Sequence, residues 1–489
     1  MNEIKQLAGQ TAIYGLSSFL PRFLNYLLVP FYTRIFLPPE YGIITEFYAY
    51  VTFLLILLTY GMETGFFKFS GTEIKKGSVY STSLISVLFT SVFFILIVSY
   101  LREDISYAMG YPGNAEYVLW FAVILGLDAF NAIPFAYLRN QNKALTFSML
   151  KVISVLLNIL FNIFFLVIMP NLIQHDIPEL LKVIYDENIG VGYVFISNLI
   201  ATVMTTLMLI PYVIKAKLQF SLPLLVRMLK YSLPLMIAGF VGNVNEALDR
   251  IILKHLLPDN VDALGALGIY GANIKVAVLM MLYIQMFRYA FEPYFFQKGG
   301  GQDAKEVYAE ILKFFVLFGL IILVGIVLFL DLIKFIIDEN YWGGLEIVPV
   351  LLFANLFLGI FYNLSVWYKI KNLTQYGAYL AVFGAVITVL INFTLVPEFG
   401  YHASAWARFI CYFLMVMLSY FIGRKFLKIN YPVKKIGHYA VIAGIIVLLA
   451  LNIEFENLVL NNAIRIIILG LFIKYIDSRE KLVKALIRK

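Results

Sequence analysis

The chain has little of what soluble proteins and most enzymes are built from. Among its 489 residues there is one cysteine, Cys411, set inside an apolar stretch. That excludes a disulfide within the chain and a cysteine-rich metal site. Four histidines, His175, His255, His402 and His438, are scattered without ligand spacing. Charged residues make up 14%, against about a quarter in an ordinary soluble domain. No polar run is long enough to fold as a domain outside a membrane. The N-terminus lacks a small-residue cleavage site after a short apolar core, so the first apolar stretch is expected to be retained.

Hydrophobic residues make up 61%, and they come in runs. Fourteen stretches approach the ~20 residues a spanning helix needs. They lie near 11–33, 43–66, 79–100, 115–138, 145–170, 190–214, 232–253, 267–296, 311–330, 347–368, 375–397, 402–423, 437–453 and 458–473. With the N-terminus in the cytoplasm, 26 of the 38 basic residues fall in cytoplasmic loops and the C-terminal tail, five fall in outer loops, and seven fall within the stretches. This segregation is the positive-inside pattern. It predicts an even helix count with both termini cytoplasmic. The net charge of +8 therefore decorates one membrane face and does not point to nucleic acid. The 33 tyrosines and 43 phenylalanines suit interfacial belts and helix packing.

The first six stretches resemble the next six in order and punctuation. The turn Leu37-Pro-Pro-Glu-Tyr-Gly-Ile43 after the first matches Ala266-Leu-Gly-Ile-Tyr270 after the seventh. Leu138-Arg-Asn-Gln-Asn-Lys143 after the fourth matches Tyr368-Lys-Ile-Lys-Asn-Leu373 after the tenth. The fifth and eleventh stretches carry mid-span asparagines (Asn158 and Asn162; Asn392) and end at Pro170 and Pro397. The sixth and twelfth begin Gly190-Val-Gly-Tyr193 and Gly400-Tyr-His-Ala-Ser404. Six is an even number, so the repeats enter from the same side and are parallel, one of the plans used by carriers.

With Pro21-Arg22 in the middle of the first stretch and the Glu40-Tyr41-Gly42-Ile43 turn after it, residues 5–475 resemble the Wzx-type polysaccharide-biosynthesis flippases. These are relatives of the multidrug MATE exporters and the lipid II flippases in the MOP superfamily. The resemblance implies an all-α polytopic membrane protein. About 14 transmembrane helices would form two parallel six-helix bundles around a central cleft, followed by two C-terminal helices. The N-lobe would span 1–220, the C-lobe 221–430, and the last two helices with a basic cytoplasmic tail 431–489. The implied activity is movement of an undecaprenyl-pyrophosphate-linked oligosaccharide from the cytoplasmic to the outer leaflet of a bacterial inner membrane, for O-antigen, capsule or exopolysaccharide. The implied partners are that glycan lipid, membrane lipids, and a polysaccharide polymerase and ligase. No cofactor and no catalytic residue are implied, although coupling to protons or sodium fits.

Ionisable residues at bilayer depth are expensive and mark pathways or pairs. Arg22 lies near the midplane of the first stretch, with Ser18 and Asn25 on its face. A buried guanidinium suits a phosphate through its fork of parallel hydrogen bonds; the alternative is an ion pair with Glu46 or Asp128. Arg288 shares a stripe with Gln285 and Glu292, which either lines the cleft or closes on itself. Lys275 precedes it by thirteen residues and points about 140° away on a straight helix. Either one of the two is structural or that helix bends. Asn243, Glu246 and Arg250 form one face of the seventh stretch, with Asp249 beside them, as a lock or a site. Lys151 shares a face with Ser154, Asn158 and Asn162; the asparagines suit interhelical hydrogen bonds, and the lysine suits a phosphate. Glu46, Glu63, Asp128 and Asp249 are the candidates for ion coupling, because burial raises a carboxylate pKa. Arg408 and Arg465 read as structural.

Two other functions compete. A MATE-like exporter of drugs or metabolites needs a carboxylate in the first helix or cleft centre, and the first stretch has an arginine there instead. A membrane enzyme needs a reactive outer loop. The longest, Asn171–Ile189, holds His175, Asp176, Glu179, Asp186 and Glu187, which read as a solvated acidic turn.

Overall fold

In a bilayer every backbone N–H and C=O must be satisfied within the protein, so apolar runs of this length cross as helices. The computed structural model describes residues 20–21, 23–71, 76–173, 185–215, 219–298, 302–453 and 458–481, and every regular element among them is helical. Helices α1 (Leu28–Ile35), α2 (Pro38–Thr59), α3 (Met62–Ser70), α4 (Lys76–Tyr100), α5 (Arg102–Ala108) and α6 (Ala115–Asn140) come first. Then α7 (Ala144–Ile163) passes through a π-helical turn into α8 (Met169–Ile173), and α9 (Gly192–Val213) and α10 (Leu222–Leu256) follow. Next come α11 (Ala263–Val276), α12 (Val278–Lys298), α13 (Gln302–Leu328) and α14 (Leu330–Ile333), two 3-10 segments, α15 (Val348–Leu364) and α16 (Val366–Ile370). The last are α17 (Gln375–Phe399), α18 (Tyr401–Phe426), α19 (Val433–Asn452) and α20 (Leu458–Glu480).

Eleven helical segments among the described residues are long and apolar enough to cross a membrane, or twelve if α11 and α12, bent by 44° at their junction, count as one span. The protein is thus an all-α multi-pass membrane protein. The eleven and the bent pair occupy the second to thirteenth of the fourteen stretches. The start of the first stretch lies outside the described residues, and α20 occupies the fourteenth without being among the eleven.

The chain divides into two compact units, with the boundary between Asn243 and Val244, inside the continuous helix α10; Leu37–Gly42 joins the second unit. In the first, Met62, Phe66, Tyr80, Val87 and Ile133 form a core with Leu224 and Met228 of α10. Glycines let α10 sit close to α3: a Cβ on Gly61 would fall 2.8 Å from the Ser232 carbonyl oxygen, and one on Gly65 2.5 Å from Ser232 Oγ. This is the small-residue packing of membrane helices. In the second unit Leu358, Phe361, Leu380, Cys411, Tyr412 and Met415 pack together. There α20 is tied by the ion pairs Arg465–Asp331, Glu480–Lys313 at 2.9 Å and Glu480–Lys435 at 3.5 Å.

The punctuation shared by the two halves of the sequence reappears as shared backbone geometry. Asn142 and Asn372, at φ 55° and 56°, end α6 and α16 in left-handed conformation. Both turns close with the same pair of bonds, Lys143 N–H to Leu138 O and Asn142 N–H to Arg139 O in one, Leu373 N–H to Tyr368 O and Asn372 N–H to Lys369 O in the other. That pair defines a Schellman C-cap. Gly190 (φ 46°, ψ −115°) and Gly400 (φ 55°, ψ −139°) precede α9 and α18 in a conformation that side chains rarely tolerate. Asn162 of α7 and Asn392 of α17 are both fully buried, and each donates to the carbonyl four residues back. Finally, a Cβ on Gly42 would strike the Leu264 carbonyl oxygen and one on Gly268 the Pro38 carbonyl oxygen. The contact is reciprocal, each glycine meeting the residue four before the other.

Candidate functional site

In the second unit the charged residues gather around one stretch of α10, Asn245–Arg250. Asp249 is nearly buried and receives three donors: Arg408 Nη2 at 2.6 Å, the Tyr270 hydroxyl at 2.5 Å and the Arg250 amide at 2.9 Å. Arg408 also donates to the Glu246 carbonyl at 3.0 Å. This carboxylate–guanidinium pair joins α10 to α18, and Tyr270 adds α11. Asn245, one turn earlier, accepts from Thr388 at 3.2 Å and donates to the Ala381 carbonyl of α17 at 3.3 Å. The Asn245–Asp249 face of α10 is therefore a structural joint.

The neighbouring cations are differently placed. Arg250 spends one nitrogen on the Glu246 carbonyl at 2.9 Å, and its Nε is buried with no hydrogen-bond partner among the described residues. Lys275, near the end of α11, lies within electrostatic reach of Arg250 and makes no hydrogen bond or ion pair among the described residues. Arg288 of α12 stacks over the ring of Tyr362, 4.2 Å from its centroid. The Tyr362 hydroxyl in turn faces Glu246 Oε1 at 3.4 Å. Three cations thus lie around one turn of α10; none forms an ion pair among the described residues, and Arg250 lies within electrostatic reach of Asp249 and Glu246. The 44° bend falls between Lys275 and Arg288, so the helix that carries both is not straight. The side chain of Glu292 lies outside the described residues.

The first unit holds a second group. Asp128 of α6 has Thr202 and Lys151 as its polar neighbours, and it forms no ion pair among the described residues. Lys151 of α7 lies over the Phe135 ring at 4.0 Å, within electrostatic reach of Asp128, Glu63 and Arg139. Glu63 is bound by Arg139 at 2.6 Å, and both are partly exposed. Glu46 is fully buried and accepts from Tyr111. Asn162 accepts from the Tyr32 hydroxyl of α1 at 2.9 Å, an interhelical bond. Asn25 is exposed in the helical turn before α1. Arg22 and Ser18 lie outside the described residues, as do His175, Asp176 and Glu179 of the outer loop. Asp186 caps the short 3-10 turn at Glu187–Ile189 through the Asn188 amide, 2.9 Å away.

Tyr362, which orients Arg288, was not singled out by the sequence, and Tyr270, which holds Asp249, figured there only as the end of a repeat turn. Both are two among 33 tyrosines, and only their partners distinguish them.

No protein-family model and no curated relative matches the sequence. Solved structures do match in fold. A lipid II flippase, MurJ, in an inward closed conformation aligns with TM-score 0.73 and 15% identity over 96% of this chain and 99% of its own. An inward-facing multidrug resistance MATE family transporter of the MOP superfamily aligns with TM-score 0.65 and 15% identity over 85% and 94%. A MATE multidrug transporter, DinF-BH, solved with a bound ligand, aligns with TM-score 0.63 and 17% identity over 87% and 97%. The chain shares the fold of these solved structures.

Proposed function

We propose that this protein is a flippase for a polyprenyl-pyrophosphate-linked oligosaccharide, moving it from the cytoplasmic to the outer leaflet by alternating access. The observation that carries this reading is the set of cations around α10, of which none forms an ion pair among the described residues and Lys275 has only the Arg250 cation as its charged neighbour. Arg250, Lys275 and Arg288 lie in membrane-spanning segments, where an uncompensated charge is costly, and an anionic ligand compensates it. A diphosphate offers several acceptor oxygens. Arginine meets them with paired, charge-assisted bonds and lysine acts as a point charge. Arg250 and Arg288 would grip the diphosphate and Lys275 would add charge; Arg22, Asn25 and Lys151 are proposed as phosphate contacts of the first unit by itself. Tyr362 would hold the Arg288 guanidinium in place. Flipping makes and breaks no bond in the substrate, so no catalytic group is needed. The fold match also favours it: the lipid II flippase covers 96% of this chain and the MATE structures 85–87%.

A MATE-like exporter coupled to protons or sodium is the second reading. It is favoured by Asp128, a carboxylate without an ion pair among the described residues. Glu46, Glu63 and Asp249 are already held by Tyr111, Arg139 and Arg408. One experiment separates the two. The gene is deleted in its host, and glycan-bearing polyprenyl diphosphate is measured in each leaflet. The deletion strain is then complemented with wild type, Lys275→Ala or Arg288→Ala. The flippase reading expects build-up on the cytoplasmic leaflet, relieved by wild type. Each variant, inserted normally, should flip about tenfold more slowly or worse, the loss of one charge-assisted hydrogen bond. Absence of build-up, with greater sensitivity to cationic compounds, supports the exporter.

A further inference from the structure

The first unit contains a cavity that neither the flippase reading nor the charged groups account for. It has a volume of about 490 Å3 and lies between α4 and the first turns of α10, lined by Ile85, Phe89, Phe220, Leu225, Leu229 and the Tyr60–Ser86–Thr90 hydroxyl side. That volume is within the range of ligand sites, roughly 300–1,000 Å3. The wall contributed by Tyr60 is built from an unusual backbone. Tyr60 (φ 34°) and Gly61 (φ 70°) break the helix between α2 and α3 in left-handed conformation. A bulky residue in that region is a true outlier, and such strain persists where the surroundings hold it. Here it delivers the Tyr60 hydroxyl to Ser86 Oγ at 2.5 Å.

The chemistry of the lining selects the occupant. Three hydroxyls reach the cavity: Tyr60 and Ser86 bond each other, and Thr90 donates to the Val87 and Ser86 carbonyls at 3.0 and 3.2 Å. A water needs several free polar partners, and a polar head group needs at least as many. One O–H and a few lone pairs on a wall otherwise made of Ile85, Phe89, Phe220, Leu225 and Leu229 are too few for either, so the complement is hydrocarbon. The α4 wall belongs to a candidate membrane span, and Phe89 beside the cavity is 71% exposed, with Phe93 and Leu96 continuing the same apolar face. In a span, that exposed face meets lipid tails.

We propose that the α4–α10 cavity is a seat for one acyl chain of a bilayer phospholipid. The chain would enter from the α4 face and lie against Phe89, Leu225 and Leu229, with Tyr60 closing the inner end. It would fill the seam beside the glycine seat of α10 on α3. This assignment does not rest on the flippase reading, and either stands if the other fails.

The test uses the full chain in vesicles of phosphatidylethanolamine and phosphatidylglycerol, doped with a phosphatidylglycerol carrying a diazirine on its acyl chain. After photolysis, adducts are mapped by peptide mass spectrometry. Adducts are expected on Ile85–Thr90 and Phe220–Leu229. They should be lost in Leu229→Trp, which fills the cavity, while labelling of the exposed α19 residues Val441, Ile445 and Leu448 continues. Ile85→Phe serves as a second filling variant should Leu229→Trp fail to insert. Labelling of α19 without labelling of the seam overturns the proposal, as does seam labelling indifferent to both filling variants. Seam labelling displaced by polyprenyl phosphate but not by excess unlabelled phospholipid overturns it too, and assigns the seat to a carrier tail.

Discussion

Asp249 and Lys275 show how differently two buried charges behave. Asp249 is held by Arg408, Tyr270 and a backbone amide, whereas Lys275 is held by nothing among the described residues. Removing one partner of a buried pair strands the other charge and costs about 3–5 kcal/mol. Asp249→Asn should therefore lower the thermal unfolding temperature in detergent sharply, since Arg408 is 7% exposed. Lys275→Met breaks no bond and removes an unpaired intramembrane charge, so it should leave the unfolding temperature unchanged or raised while impairing the proposed flipping. If Lys275→Met destabilised as strongly as Asp249→Asn, the lysine would be structural and the ligand argument would lose its best residue. The sequence shows that both groups are intramembrane, and it shows Arg408 as structural. It does not show that Arg408 pairs with Asp249, because 159 positions separate them and helical periodicity informs only on neighbours a turn or two apart.

At the scale of elements, turns are where the sequence is most legible. The conformation of a C-cap depends on a few adjacent residues, and asparagine tolerates the left-handed region better than most. Asn142 and Asn372 accordingly end their helices in one geometry, as the matched loops predict. Asn142→Gly and Asn372→Gly should be neutral in thermal denaturation, whereas Asn142→Val should cost about 1–2 kcal/mol. Equal stability of the glycine and valine variants would mean that the cap contributes nothing. The bend between α11 and α12 was legible as an alternative only: a straight helix sets Lys275 and Arg288 about 140° apart, and the 44° break lies between them. The reciprocal approach of Gly42 and Gly268 was not legible. A glycine in an apolar helix has many uses, and which backbone it admits is settled by tertiary packing.

For the whole molecule, the repeat and the charge segregation make one joint statement about topology. Parallel repeats place equivalent turns on the same membrane face; inverted repeats place them on opposite faces. The Asn142 and Asn372 turns are equivalent by backbone geometry, independently of any charge count. The positive-inside pattern, with 26 of 38 basic residues on one side, predicts that both face the cytoplasm. The scarcity of cysteine makes this easy to check. One substitution, Cys411→Ala, gives a cysteine-free chain; Cys411 is buried and its thiol makes only long contacts, 3.4 Å or more. Single cysteines are then introduced at the exposed positions Lys143, Lys371, Arg102 and Glu339. An impermeant maleimide should label positions 102 and 339 in intact cells, and 143 and 371 only after permeabilisation. Labelling of 143 and 371 from opposite sides would break the parallel repeat, and with it the argument that two similar halves serve one transport path. Labelling of both from outside would keep the repeat but reverse the direction from which the proposed anionic lipid first meets the cations of α10 and α12.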